Sequence, residues 1–302
     1  MVKIIKLFHL GTQIYTCDQW INYRRVIVFV IRSLLHHKEV QSLNRFFRQT
    51  PLRQEIITMH LLVFAQLTRH FFYKKSRVLE RLTIITQSFL ILERLFREQA
   101  LRQIYLGSGL QLWHKKYKEE QTLAIDLAFC GSEFREGTMS LGLKLDNKYI
   151  YHINFWFNDD NTLSLYIGAL QGSWDGLSVN KELTKYFYGY RTQNLILYVL
   201  RILAQNLSVS SIKAVSNYGF YANNHLRRDR KLKTSLDTFW TEIGGNLSQD
   251  CRFFDLPLTD HRKSLEAVVS RKRSLYKKRF DFLDKMAADI TSVLQIFIKG
   301  SF

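Results

Sequence analysis

Three glycines stand four residues apart in the stretch LYIGALQGSWDGLSVN: Gly168, Gly172 and Gly176, in a chain of 302 residues that has only fourteen glycines. Glycine lets backbone approach another group more closely than any residue with a Cβ. The stretch runs from an apolar strand pattern into a basic, aromatic helix pattern. Two histidines are candidates for proton transfer, because an unperturbed imidazole titrates near pH ~6.5. His152 sits in YIYHINFWF, where alternation puts it on one face with Ile150, Asn154 and Trp156. His225 lies in a polar segment after a short strand pattern, near Asn217, Tyr218 and Tyr221. Each also has a plainer role, the glycines in a bulge or tight turn and the strand histidine as a packed core group.

Several other chemistries are excluded. His36, His37, His60 and His70 have no glutamate partner at H-E-x-x-H spacing, and adjacent histidines on a helix do not share one metal face. The sequence holds no G-x-S-x-G elbow and no Walker A loop, so neither a serine hydrolase nor a nucleotidase is expected. Cys17, Cys130 and Cys251 are odd in number and far apart, which argues against a disulfide framework or zinc ribbon and for a reducing compartment.

The elements that must position these residues change character along the chain. The first third contains one of the two prolines, Pro51, and repeats apolar residues at helical spacing in YRRVIVFVIRSLLHH, RQEIITMHLLVFAQLTRHFFY and RVLERLTIITQSFLILERLFREQALRQIY. From about residue 119 the pattern alternates instead, and 122–129, 137–146, 148–158 and 162–170 read as strands. The links DN at 146–147 and NDDN at 158–161 make the last three an antiparallel meander. A helix over roughly 180–207, a strand at 211–217, an amphipathic helix stopped by Gly244 and Gly245, a strand CRFFDL and a final helix over about 263–296 complete the pattern. The expected fold class is α/β (α+β): a mainly helical region over 1–118, then a mixed sheet with flanking helices over 119–302.

Hydrophobic residues make up 46% and charged residues 23% of the chain, which is a globular composition. The formal net charge of +18 is concentrated toward the N-terminus: Lys and Arg exceed Asp and Glu by 14 over residues 1–118 and by 4 over 119–302. Two further basic clusters are LRRDRKLK (226–233) and SRKRSLYKKRF (270–280). The anionic partners this suggests are a membrane surface, an acidic carrier protein or, ranked third, nucleic acid, because the aromatic residues fall mostly at core spacing. The longest apolar run, VIVFVI at 26–31, is too short to span a bilayer, and no signal-peptide pattern opens the chain. A cytoplasmic protein is expected, with peripheral attachment to the inner membrane as its variant.

Antiparallel meander, glycine-bearing junction, helix, strand, helix, glycines, strand is an order that resembles the GNAT acyltransferase superfamily. The wording of REGTMSLGLKL, LYIGALQG, LTKYFYGYRTQNLIL, AVSN, FWTEIGG and SRKRSLYKKRFDFLDKM, in that order, resembles the VirK/YbjX family of Gram-negative bacteria over about residues 30–290. The second resemblance implies a setting in the cell envelope, linked to virulence and to antimicrobial peptide resistance. The first implies a GNAT-like sheet whose diverging parallel strands admit a pantetheine thioester, with Gly168, Gln171, Gly172 and Gly176 beside the pantetheine and Arg191 at its phosphate. By the same analogy Tyr218 or Tyr221 would protonate the leaving thiolate, and His152 or His225 would act as base. Asp175 would repel the diphosphate of coenzyme A, so an acyl carrier protein is the expected donor, with the acceptor open. The competing readings are a catalytically inactive anion-binding envelope factor and a nucleic-acid-binding regulator.

Overall fold

The computed structural model describes residues 2–15, 19–118, 120–130, 135–173, 176–223 and 235–300. His225, Trp174, Asp175, Cys17 and the 226–233 cluster lie outside them. The fold is mixed α/β, with helices leading the chain and an eight-stranded sheet behind them.

The helices are α1 (Val2–Ile14), α2 (Trp20–Leu35), α3 (His37–Phe47), α4 (Pro51–Met59), α5 (Val63–Thr68), α6 (Val78–Leu95) and α7 (Glu98–Leu106). Their ends follow from local chemistry. Thr50 caps α4 by accepting the Arg53 N–H at 3.3 Å, with Pro51 at the first helical position, where its missing N–H costs nothing. The Glu80 carboxylate accepts from the Arg77 N–H at the start of α6. The run VIVFVI is helical, within α2, and buries Val26, Phe29 and Val30.

The sheet contains β1 (Leu110–Lys116), β2 (Thr122–Phe129), β3 (Met139–Leu145), β4 (Lys148–Asn158) and β5 (Ser164–Gly172). Then come α8 (Leu177–Tyr186), α9 (Thr192–Asn206), β6 (Ser211–Val215), α10 (Leu236–Glu242), β7 (Asn246–Leu247), β8 (Phe253–Leu256) and α11 (Arg273–Phe297). Strand order is β1-β2-β3-β4-β5-β6-β8-β7, and β5 with β6 is the parallel pair among otherwise antiparallel neighbours. Asp146 and Asn147 turn β3 into β4 with φ of 49° and 65°, the positive values a two-residue hairpin requires.

The helix expected over 180–207 is two helices. Tyr188 and Gly189 have φ of 53° and 78°, and Arg279 of α11 donates to the Tyr188 carbonyl through Nε at 3.0 Å and Nη2 at 2.8 Å. Left-handed backbone at Gly189 ends α8, and the guanidinium satisfies a carbonyl freed there.

One hydrophobic core joins the helices to the sheet. Phe89 of α6 stacks on Tyr105 of α7 at 4.6 Å and meets Phe129 of β2 edge-on at 5.6 Å. α9 and α11 cover one sheet face: Trp113 of β1 meets Phe282 at 6.3 Å, and the Tyr151 hydroxyl reaches Gln193 at 3.4 Å. The other face carries the polar residues described next.

Candidate functional site

Cross-strand register lines up one row of residues on that second face: Gln111, Asp126, Gly142, His152 and Gln171. The next row is Ala128, Ser140, Asn154 and Ala169. Registered partners in an antiparallel sheet point the same way, so these side chains share a floor. The floor is polar, and Asp126, Ser140, His152 and Asn154 are all buried, Asn154 completely. Lys144 pairs with Asp126 at 2.8 Å, and its ammonium lies 4.9 Å from the Tyr149 ring centre.

Among the described residues the second carboxylate oxygen of Asp126, the Ser140 hydroxyl and the Asn154 amide nitrogen have no hydrogen-bond partner, while the Asn154 oxygen lies 3.7 Å from the Cys130 thiol. Buried polar atoms are nearly always satisfied, so this cluster is the candidate place for a bound water or another polar group.

Glu136 closes the row at the β5 end. It is buried, its carboxylate accepts the Arg135 N–H at 2.8 Å, and Gln171 hydrogen-bonds to it. Burial pushes its carboxyl above the ordinary range, opposed by the Arg135 and Glu136 backbone bonds, the Arg135 charge and Gln171. Burial acts the other way on His152, lowering it from 6.5 to about 4, and the Tyr149 ring lies 5.8 Å away. His152 is therefore a neutral imidazole near pH 7, suited to hydrogen bonding more than to taking a proton. Glu136 is the better proton acceptor of the two. Sequence reasoning passed over it inside REGTMSLGLKL, because a lone carboxylate beside a glycine reads as a turn.

The junction glycines accommodate the protein's own atoms. Gly168 is the extra residue of a bulge, between Asn154 paired with Ala169 and Phe155 paired with Ile167, and a Cβ there would overlap the Glu136 carbonyl. A Cβ on Gly172 would lie 2.8 Å from the Tyr151 ring, and one on Gly176 2.5 Å from the Ser173 hydroxyl. Parallel pairing of β5 with β6 stops at Ile167 and Ala214. β5 runs on past the end of β6, and no backbone hydrogen bond among the described residues joins Gly168–Gly172 to the chain on the β6 side; Gly168, Ala169 and Leu170 are buried there and Gly172 is exposed.

The chain after β6 turns onto the segment before α6, with Tyr73 bridged to Phe220 and the Lys74 N–H on the Gly219 carbonyl at 2.7 Å. Tyr218 is half exposed, with the Lys74 ammonium 3.9 Å over its ring, and Tyr221 is buried against Phe220 at 5.0 Å. Arg191 stands at the start of α9 and faces Glu242 at 3.6 Å, an exposed pair. The structure thus brings His152 and Gln171 together, places Tyr218 and Tyr221 on the loop beyond β6, and puts Arg191 at a helix end.

The His152 shift makes a pH prediction. Above pH 6.5 the imidazole is neutral in both folded and unfolded chains; as pH falls from 6.5 toward about 4 only the unfolded chain takes the proton, so stability is lost over that window. Urea unfolding at pH 7.5 and 4.5 should show the parent losing about 2–3 kcal/mol more than His152→Gln. Equal losses would mean that water reaches the imidazole.

A family model described as a protein of unknown function (DUF535) matches residues 18–292. An uncharacterized protein of Haemophilus influenzae is 26% identical over 263 residues, covering 85% of this chain and 86% of that protein. A second from the same organism is 24% identical over 272 residues, 87% of each chain. The uncharacterized protein YbjX of Escherichia coli K12 is 26% identical over 201 residues, 64% of this chain and 60% of its own length. No solved structure matches.

Proposed function

This chain belongs to the DUF535 family, and we propose that it is an envelope-related acyltransferase that takes its acyl group from a pantetheine thioester. The observation that carries the proposal is the β5 edge at Gly168–Gly172, without a backbone partner on the β6 side among the described residues, lying beside the buried Glu136 and His152 and the half-buried Gln171. An extended pantetheine arm carries amides that would pair with such an edge as an added strand does. This takes the stretch where β5 runs on past the end of β6 for the thioester slot of a GNAT-type sheet, and the polar floor for the acceptor site.

In that arrangement Glu136 accepts the proton of an acceptor hydroxyl or amine as its oxygen or nitrogen attacks the thioester carbonyl. The carbon–sulfur bond then breaks, and the leaving thiolate takes a proton from Tyr218 or Tyr221 on the loop beyond β6. His152 and Asn154 orient the acceptor through hydrogen bonds. The donor preference for an acyl carrier protein rests on Asp175 and on the basic charge of the chain, since the carrier is acidic and lacks the nucleotide diphosphate.

The test is release of free thiol and mass-spectrometric detection of acylated product from acyl carrier protein and from acyl coenzyme A, each with an envelope extract as acceptor. Transfer from the carrier protein, faster than from coenzyme A, is the expected result. Absence of transfer from both donors would leave the inactive anion-binding reading in its place.

A further inference from the structure

The α1–α2 hairpin has a second apolar face that the core does not use. Gly11 lets α1 lie close on Val26 and Phe29, which are buried. Beside that buried face of α2, Trp20, Ile27, Ile31 and Leu34 follow one another at helical spacing and are exposed, Trp20 by 83%. Ile5 and Phe8 of α1 are exposed as well. Ten of the eighteen large exposed hydrophobic side chains among the described residues lie on these two helices, so the exposure is concentrated on the hairpin.

Charge accompanies it. Neither helix contains a carboxylate, while Lys3, Lys6, Arg24, Arg25 and Arg32 do lie on them. A cavity of about 290 Å³ against α2 is lined by Arg24, Arg25, Arg32, Arg69 and Arg135. Among the described residues no carboxylate forms an ion pair with Arg24, Arg25, Arg32 or Arg69; Arg69 instead donates to the Tyr15 hydroxyl at 3.0 Å. Burial and then the Arg69 charge hold Arg32 below the ordinary guanidinium value. Guanidinium groups crowded together at some cost, with no described carboxylate paired to Arg24, Arg25, Arg32 or Arg69, suit an anionic ligand.

We infer that the α1–α2 hairpin docks on an anionic membrane surface, its apolar face in the interface and a lipid headgroup phosphate held by the arginine cavity. An amphipathic helix pair with interfacial Trp and Tyr, basic flanks and no acidic residue has the composition of a segment lying in the headgroup region. The same hairpin of a second copy would bring no carboxylate to the arginines, whereas an anionic membrane surface offers a continuous apolar interface with phosphates beside it. The inference does not depend on acyl transfer, and either can fail alone.

The experiment is flotation of the full-length protein with phosphatidylcholine vesicles, with and without phosphatidylglycerol, and with brominated lipid to quench tryptophan. The parent should float with phosphatidylglycerol vesicles, less as salt shortens the ~10 Å screening length of 0.1 M, and show quenching that Trp20→Phe removes. Arg24→Glu with Arg25→Glu should weaken partitioning at least about tenfold, and Ile27→Asp with Ile31→Asp should abolish it, each without moving the thermal midpoint. If the aspartate pair unfolds the protein, Leu35→Lys replaces it with the same expected loss. Equal binding to pure phosphatidylcholine, no change in the arginine variant, stabilisation by inorganic phosphate without flotation, or conversion of a dimer to a monomer by the aspartate pair with no vesicle binding in the parent would each overturn the inference.

Discussion

Glu136→Gln should lower the proposed acyl transfer by roughly 10²–10⁴-fold and leave the protein folded. Glutamine keeps the shape of the side chain, its oxygen still accepts the Arg135 N–H, and its amide group still meets Gln171. What disappears is the capacity to take a proton. Stability should move the other way: burial raises the carboxyl above its ordinary 4.5, so ionising it opposes folding, and the parent loses stability relative to the variant as pH rises through the raised value. The parent's rate should climb through the same window. A variant with full activity removes Glu136 from the chemistry. Loss of rate matched by loss of folded protein assigns it to packing instead.

The reason Glu136 was not legible in the sequence is geometric. Its depth is set by Gly168, which accepts the Glu136 carbonyl where a Cβ would stand, and the two meet only because β5 bulges there. Strand patterns, by contrast, are local: TLAIDLAF, the meander and its Asp146–Asn147 turn could be read directly because alternation and turn chemistry are encoded in neighbouring residues. The strand LQLWHKK escaped notice, since three polar residues end it and helical segments precede it, yet it forms the sheet edge β1 against β2. The glycines were legible as special positions but not in their use. Gly168 and Gly172 make room for a carbonyl and a tyrosine ring, contacts fixed by tertiary packing. Alternation along β4 keeps His152 on one face with Asn154 and Trp156, the register shift at Ile150 takes that residue out of the expected row, and the neighbours Asp126, Lys144, Ser140 and Gln171 come from three other strands.

Lys144→Met should destabilise the protein by about 3–5 kcal/mol at pH 7, the cost of leaving a buried carboxylate without its partner. The Asp126 and Lys144 side chains are only 11% and 9% exposed and 2.8 Å apart, so solvent screens the pair weakly. The Tyr149 ring under the ammonium adds a smaller term that the methionine partly keeps by packing. Asp126→Leu combined with Lys144→Met should recover most of the loss, since a buried ion pair replaced by apolar groups of similar size is often neutral. That double variant separates packing from binding. If the polar floor holds the acceptor, it folds normally but raises KM for the acceptor while KM for the thioester donor stays put. Unchanged kinetics in a stable double variant would confine the pair to architecture and move the acceptor away from the β2–β3 end of the floor, toward Asn154 and Glu136.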